Sequence, residues 1–251
     1  NMKQGEIIET ATVKKIRKFL DRTAKNSQMS FLFGPTGRGK TFTIQDWLTQ
    51  HPEGVYLRAD ADVTTSRLRK QLSYALFRTD SGSRQDIVDY LLQRPRAVVI
   101  VDEAVHICSE TFSAQDVKRL DSLRDVFDNV NENGGALGMC LVFTDCTLAR
   151  FKNGRGARFL GQFVGRMENH LNLGDRISMA YEIKPVLRAY GFDESLADAA
   201  FRIANESGKM RTLYKCIQLA EKVAKKKSVE VSAGLLNDVF QQIETGSHPD
   251  E

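Results

Sequence analysis

The octet GPTGRGKT, Gly34 to Thr41, is the first place in the chain where residue types and spacing describe a chemical task. Gly34, Gly39, Lys40 and Thr41 satisfy the pattern G-x-x-x-x-G-K-[ST]. Glycine lets the backbone turn its N–H groups inward and approach phosphate oxygens closely. In such a loop the lysine, Lys40, reaches the β- and γ-phosphates, and the Thr41 hydroxyl ligates Mg²⁺. The expected ligands are ATP and Mg²⁺. The expected nucleotide contacts are Gly34, Pro35, Thr36, Gly37, Arg38, Gly39, Lys40, Thr41 and Phe42.

A second element must supply carboxylates, and RAVVIVDEAVH does so at Asp102 and Glu103. Asp102 is expected to hold Mg²⁺ through water, and Glu103 to orient or deprotonate the attacking water. The plainer alternative is an acidic pair at a strand end. An Asp followed at once by Glu points to hydrolysis of ATP rather than transfer to a small molecule. Thr144, at the end of GMCLVFTD, places a polar group near the expected γ-phosphate, where it could sense the nucleotide; a strand-end turn residue is the competing reading.

These groups need a scaffold. MSFLFG before the loop reads as a buried strand. TFTIQDWL after it has helical apolar spacing, so phosphates would sit at a helix N-terminus. Further strands are legible at Gly54–Asp60, Ala97–Val101, Gly138–Asp145 and His170–Gly174. Strands alternating with helical stretches predict an α/β fold, a parallel sheet flanked by helices. From about Arg176 the pattern changes to helices only: SLADAAFRIAN, KMRTLYKCIQLAEKVAKKK and SAGLLNDVFQQI. In the middle one Met210, Leu213, Ile217, Ala220 and Val223 fall at three- and four-residue steps. Asp193 and Ser232 are expected N-caps. The division expected is a nucleotide-binding α/β domain over 1–175, a small helical domain over 176–244 and a disordered tail over 245–251.

The bulk properties constrain function only loosely. The 251 residues carry a net charge of +4, which permits nucleic-acid binding without requiring it. There is no run of 18 apolar residues, and Asn1-Met2-Lys3 opens no signal peptide, so no membrane partner is expected. Cys108, Cys140, Cys146 and Cys216 are scattered and read as reduced thiols of a cytoplasmic protein. His51, His106, His170 and His248 lack metal-ligand spacing.

The loop, VIVDEAVH, the polar strand end at Thr144, GRMENHLNL and ESGKMRTLYKCIQLA together resemble AAA+ ATPases of the transposition-regulator group, which includes the phage Mu B protein, TnsC and TniB. The resemblance spans Ile7 to about Ile243. It implies that Arg166 is an arginine finger reaching the nucleotide of a neighbouring subunit, with Arg158 in reserve, and hence that the protein forms homo-oligomers. It implies that Arg211 contacts the nucleotide of its own subunit from a helical lid. It further implies helical filaments on double-stranded DNA and recruitment of a transposase. The phage Mu member carries a DNA-binding extension before its core; here the core itself is expected to bind DNA.

Two stretches invite DNA backbone contacts. DVTTSRLRKQL offers Thr65 or Ser66 as a cap followed by Arg67, and DSGSRQDIVDYLL offers Ser83 followed by Arg84. Helix starts of this kind bind phosphates without reading sequence. Ordinary capping beside solvated arginines is the alternative. The basic stretch Ala149–Phe163 could touch DNA or the next subunit. At the level of function, a helicase loader or replication-initiator-like ATPase and a secretion-type motor without a DNA role stay open beside the target-marking ATPase.

Overall fold

The computed structural model describes residues 7–108, 113–144, 169–206 and 208–246. Arg158, Arg166, Cys146, the stretch Ala149–Phe163 and residues 247–251 lie outside the described residues.

Five parallel strands are present among them: β1 (Met29–Gly34), β2 (Gly54–Arg58), β3 (Val98–Asp102), β4 (Gly138–Thr144) and β5 (Asn169–Asn172), in the order β2-β3-β4-β1-β5. All six residues of β1 and all five of β3 are buried, as strands covered on both faces must be. Side chains alternate between two cores. Phe31, Phe33, Val99, Val101, Met139, Leu141 and Phe143 enter one cluster. Leu32, Val98, Ile100, Cys140 and Val142 enter the other. That alternation is the period-two geometry of a pleated strand. Burial pushes the Cys140 thiol up, so it acts as a small core residue.

Helices α1 (Ala11–Asn26), α2 (Lys40–Gln50), α3 (Thr65–Phe77), α4 (Arg84–Leu92) and α5 (Ala114–Glu132) accompany the strands. α4 and α5 each begin in a complete capping box, Ser83 with Asp86 and Ser113 with Asp116. The cap of α3 is Thr64, not Thr65 or Ser66. Thr64 is extended (φ −99°, ψ 165°) and its hydroxyl accepts the Arg67 N–H, leaving Thr65 as the first helical residue.

The C-terminal part is helical among its described residues: a π-helical turn (Met179–Ile183), then α6 (Lys184–Tyr190), α7 (Ala197–Glu206), α8 (Lys209–Lys227) and α9 (Ala233–Thr245). Asp193 caps the short 3₁₀ turn Glu194–Leu196 that precedes α7, and Ser232 caps α9. Met210, Leu213, Ile217 and Ala220 lie in this part's core.

By internal contacts the chain forms two compact units. The sheet unit comprises Ile16–Pro35 and Ile44–Gly174. The helical unit comprises Asp175–Glu251 together with Asn1–Lys15 and Thr36–Thr43. Most of the glycine-rich loop thus belongs with the C-terminal helices.

Candidate nucleotide-binding and catalytic residues

β1 runs into the loop without a break, and α2 begins at Lys40. Within the loop Gly37 and Gly39 adopt φ +78° and +77°. Arg38 lies between these two left-handed residues, an arrangement that leaves backbone N–H groups facing one side. A Cβ at Gly37 would come within 2.1 Å of the Gly208 carbonyl oxygen, just before α8. The nearest atom to a Cβ at Gly39 would be the Thr43 hydroxyl at 4.0 Å, so space is open over that turn.

Arg38 turns inward. Its guanidinium is buried against Glu182, with Nη2 at 3.2 Å from Oε1, and it donates to the Thr12 hydroxyl at 3.1 Å. Glu182 also accepts from the Thr12 hydroxyl and from the Ser178 N–H. Arg38 therefore offers a ligand its backbone rather than its charge. Thr36, Gly39, Thr41 and Phe42 are exposed, Lys40 is buried, and Arg211 is exposed on α8.

In the sheet unit the strand ends gather the acidic groups. Asp102 ends β3 and is buried. The Tyr56 hydroxyl donates to its Oδ2 at 3.0 Å, and the Glu103 N–H donates to Oδ1 at 2.9 Å. Burial and then the Asp102 charge push the Tyr56 hydroxyl up to about 12. Tyr56 therefore remains a donor and fixes the carboxylate. Glu103 takes φ +53°, a left-handed conformation rare for a side chain of this size. That turn carries its carboxylate between two neighbours. Thr144 Oγ1 donates to Oε2 at 3.3 Å, and Arg58 Nη2 lies 3.5 Å from Oε1.

Residues 22–150 match the AAA domain family. The chain belongs to that family. A relative is the Mu-like prophage FluMu DNA transposition protein B of Haemophilus influenzae, 29% identical over 158 residues, 59% of this chain and 48% of that protein. The chain thus spans about half the length of the curated relative it matches. The AAA fold recurs in solved structures. The ORC2 protein of Aeropyrum pernix, in ADPNP and ADP complexes, covers 92% of this chain and 66% of its own, with TM-score 0.65 at 15% identity. The Walker-type ATPase PABY2304 of Pyrococcus abyssi covers 97% and 74%, with TM-score 0.66 at 13%. Domain III of the replication initiation protein DnaA of Thermotoga maritima covers 95% and 94%, with TM-score 0.56 at 11%.

The sequence-predicted residues divide between the units. Thr36, Gly37, Arg38, Gly39, Lys40, Thr41, Phe42 and Arg211 fall in the helical unit; Gly34, Pro35, Asp102, Glu103 and Thr144 fall in the sheet unit. Donor chemistry fits the expected metal: a threonine hydroxyl and a buried carboxylate are the hard oxygens that Mg²⁺ takes. Among the described residues no group of three His, Cys, Asp or Glu forms an alternative metal site. None of the described helices is long and apolar enough to cross a membrane.

Of the residues singled out for DNA, Thr65 and Arg84 line one cavity of about 190 Å³, with Ser66 and Arg69 and an apolar floor that includes Leu68 and Ile87. The two arginines are engaged within the chain. Arg67 pairs with Asp60 at 2.6 Å and Arg84 with Asp125 at 2.9 Å, all four half-exposed. The start of α4 also holds its own carboxylate, Asp86, whereas α3 has no acidic residue in its first turn.

Four participants escaped the sequence reading: Tyr56, Arg58, Thr12 and Glu182. Tyr56 and Arg58 carried one usable signal. They lie two residues apart, on one face of a strand next to β3 whose end aligns with Asp102. Thr12 and Glu182 lie 26 and 144 residues from Arg38 and carried none.

Proposed function

We propose that this AAA protein hydrolyses ATP and, in its ATP-bound form, assembles as a homo-oligomeric filament on double-stranded DNA of any sequence, marking it for a transposase. The observation that carries the reading is the relationship to transposition protein B over 158 residues. In this reading Lys40 and the loop N–H groups bind the phosphates, while Thr41 and Asp102 hold Mg²⁺. When bound, Mg²⁺ neutralises charge on the phosphate oxygens. Glu103 accepts a proton from the attacking water, Thr144 positions that carboxylate, and Arg211 contacts the nucleotide. Arg166, from a neighbouring subunit, completes the charge stabilisation.

DNA is held by its backbone. Arg67 and Arg84 contact phosphates, and Thr65 contributes from the start of α3. Each arginine exchanges an exposed carboxylate for a phosphate, a modest loss because exposed pairs are worth about 0–1 kcal/mol. The protein works in the cytoplasm.

Electron microscopy with double-stranded DNA and ATP, a slowly hydrolysed analogue, ADP or no nucleotide tests the whole reading. Filaments on DNA of arbitrary sequence with ATP alone support it. Closed rings around a helicase, or no association with DNA at low salt, overturn it.

A further inference from the structure

Arg38 occupies a position where the loop pattern leaves the residue type free, yet its side chain is 3% exposed and faces an equally enclosed Glu182 at 5%. Of the neighbouring loop side chains, Thr36, Thr41 and Phe42 are exposed, Lys40 is buried, and Gly37 and Gly39 have none. Both flanking glycines are left-handed, so the loop backbone at this point is conformationally permissive by itself. Something must hold its shape. Two adjacent residues are fastened within the helical unit: Gly37 is pressed against the Gly208 carbonyl, and Arg38 is bound through its guanidinium.

The acceptor end is equally fixed. Glu182 sits in the π-helical turn Met179–Ile183, and its carboxylate takes the Ser178 N–H at 2.8 Å, the Thr12 hydroxyl and the Arg38 fork. π-helical turns recur at functional positions because they re-aim one side chain out of helical register. Stability is a weak reason for such an arrangement, since buried ion pairs are often no better than apolar pairs of like volume. Geometry is a stronger one. A charged fork with five donors specifies direction as well as distance, which an apolar contact does not.

We infer that Arg38 is a positioning residue: its buried pairing with Glu182 and Thr12 sets the orientation of the loop N–H groups that bind the nucleotide phosphates. The Arg38 side chain does not touch the nucleotide; only its backbone N–H faces the phosphates. It makes the root of the C-terminal helices part of the phosphate site. The inference rests on the reading that this loop binds ATP.

The test compares the parent with Glu182→Gln, Arg38→Met and the double variant Arg38→Met/Glu182→Leu, using a fluorescent ADP analogue for affinity, phosphate release for kcat and KM, and thermal melting. The double variant is expected to melt below the parent but above Arg38→Met, because the buried charges leave together while the Thr12 hydroxyl and the Ser178 N–H lose their acceptor. Its nucleotide affinity is expected to fall about tenfold or more, as misplaced binding groups do. KM should rise with it while kcat holds, the signature of lost uniform binding. Glu182→Gln, which keeps the shape of the site, is expected to weaken binding in the same direction. A double variant that binds nucleotide like the parent overturns the inference. So does a Glu182→Gln protein whose binding-competent fraction drops at unchanged affinity, which is what a merely structural role produces. A parent that binds neither ADP nor ATP overturns the nucleotide reading itself, and is distinguishable from both.

Discussion

The Thr144 hydroxyl donates to Oε2 of Glu103 across 3.3 Å, from the strand next to the one that Glu103 follows. With Arg58 at 3.5 Å from the other oxygen, the carboxylate has a defined direction before any ligand arrives. In the proposed role of general base, a carboxylate held this way needs little reorganisation to receive a proton. Glu103→Gln is therefore expected to lower ATP turnover by about 10²- to 10⁴-fold, the usual worth of a general base, while ATP binding persists. Thr144→Val should lower kcat only about 3- to 10-fold, the value of one hydrogen bond, with KM little changed. Phosphate release under saturating ATP reads both.

In the proposed mechanism Tyr56 acts one step further out, through its hydrogen bond to Asp102. Removing its hydroxyl leaves the carboxylate with one fewer donor and a freer orientation. Tyr56→Phe is expected to raise the Mg²⁺ needed for half-maximal turnover about tenfold, in line with other outer residues of metal sites. A magnesium titration at fixed ATP checks it; an unchanged midpoint would show that Tyr56 serves packing alone.

The same hydroxyl gives a pH dependence whose sign follows from its shift. Its value in the fold, about 12, lies above the ordinary 10.0. The unfolded chain therefore releases this proton first. The stabilisation is complete below pH 10.0 and is lost as pH rises toward about 12. Melting curves across that interval should fall less steeply for Tyr56→Phe than for the parent.

Salt dependence distinguishes the proposed DNA contacts from bystanders. Arg67→Ala should weaken DNA binding on every sequence and reduce the slope of log K against log salt by about 1. Asp60→Asn frees Arg67 and removes a negative charge, and should tighten binding about two- to fivefold, the worth of an exposed pair. Arg84→Ala should matter less than Arg67→Ala, because Asp86 already occupies the start of α4. Fluorescence anisotropy with one duplex at several salt concentrations reads all three.

The architecture was legible because its signals are local. Unbroken apolar runs announced β1 and β3, and Gly39, Lys40 and Thr41 announced the turn into α2. Asp102 and Glu103 were legible as a strand-end pair. The left-handed turn at Glu103 was not, because nothing in the residue type favours it. The cap of α3 slipped by one because Thr64, Thr65 and Ser66 are chemically equivalent caps, and only the backbone at Thr64 decides between them. Arg38 and Glu182 were illegible for a different reason. Their attraction depends on a fold that removes both from water, and a sequence displays charge without displaying what will cover it.

That arrangement bears on how such a chain can be cut and inherited. The helical unit is not a contiguous segment: it gathers residues 1–15, 36–43 and 175–251. A chain truncated after Gly174 would keep every letter of the GPTGRGKT octet and lose Glu182 and Gly208, on which Arg38 and Gly37 lean. The C-terminal helices are therefore not an accessory that recombination can exchange freely between relatives. A transplanted C-terminal segment must bring its own acceptor for whatever residue the recipient carries at position 38, or the recipient's loop must change with it.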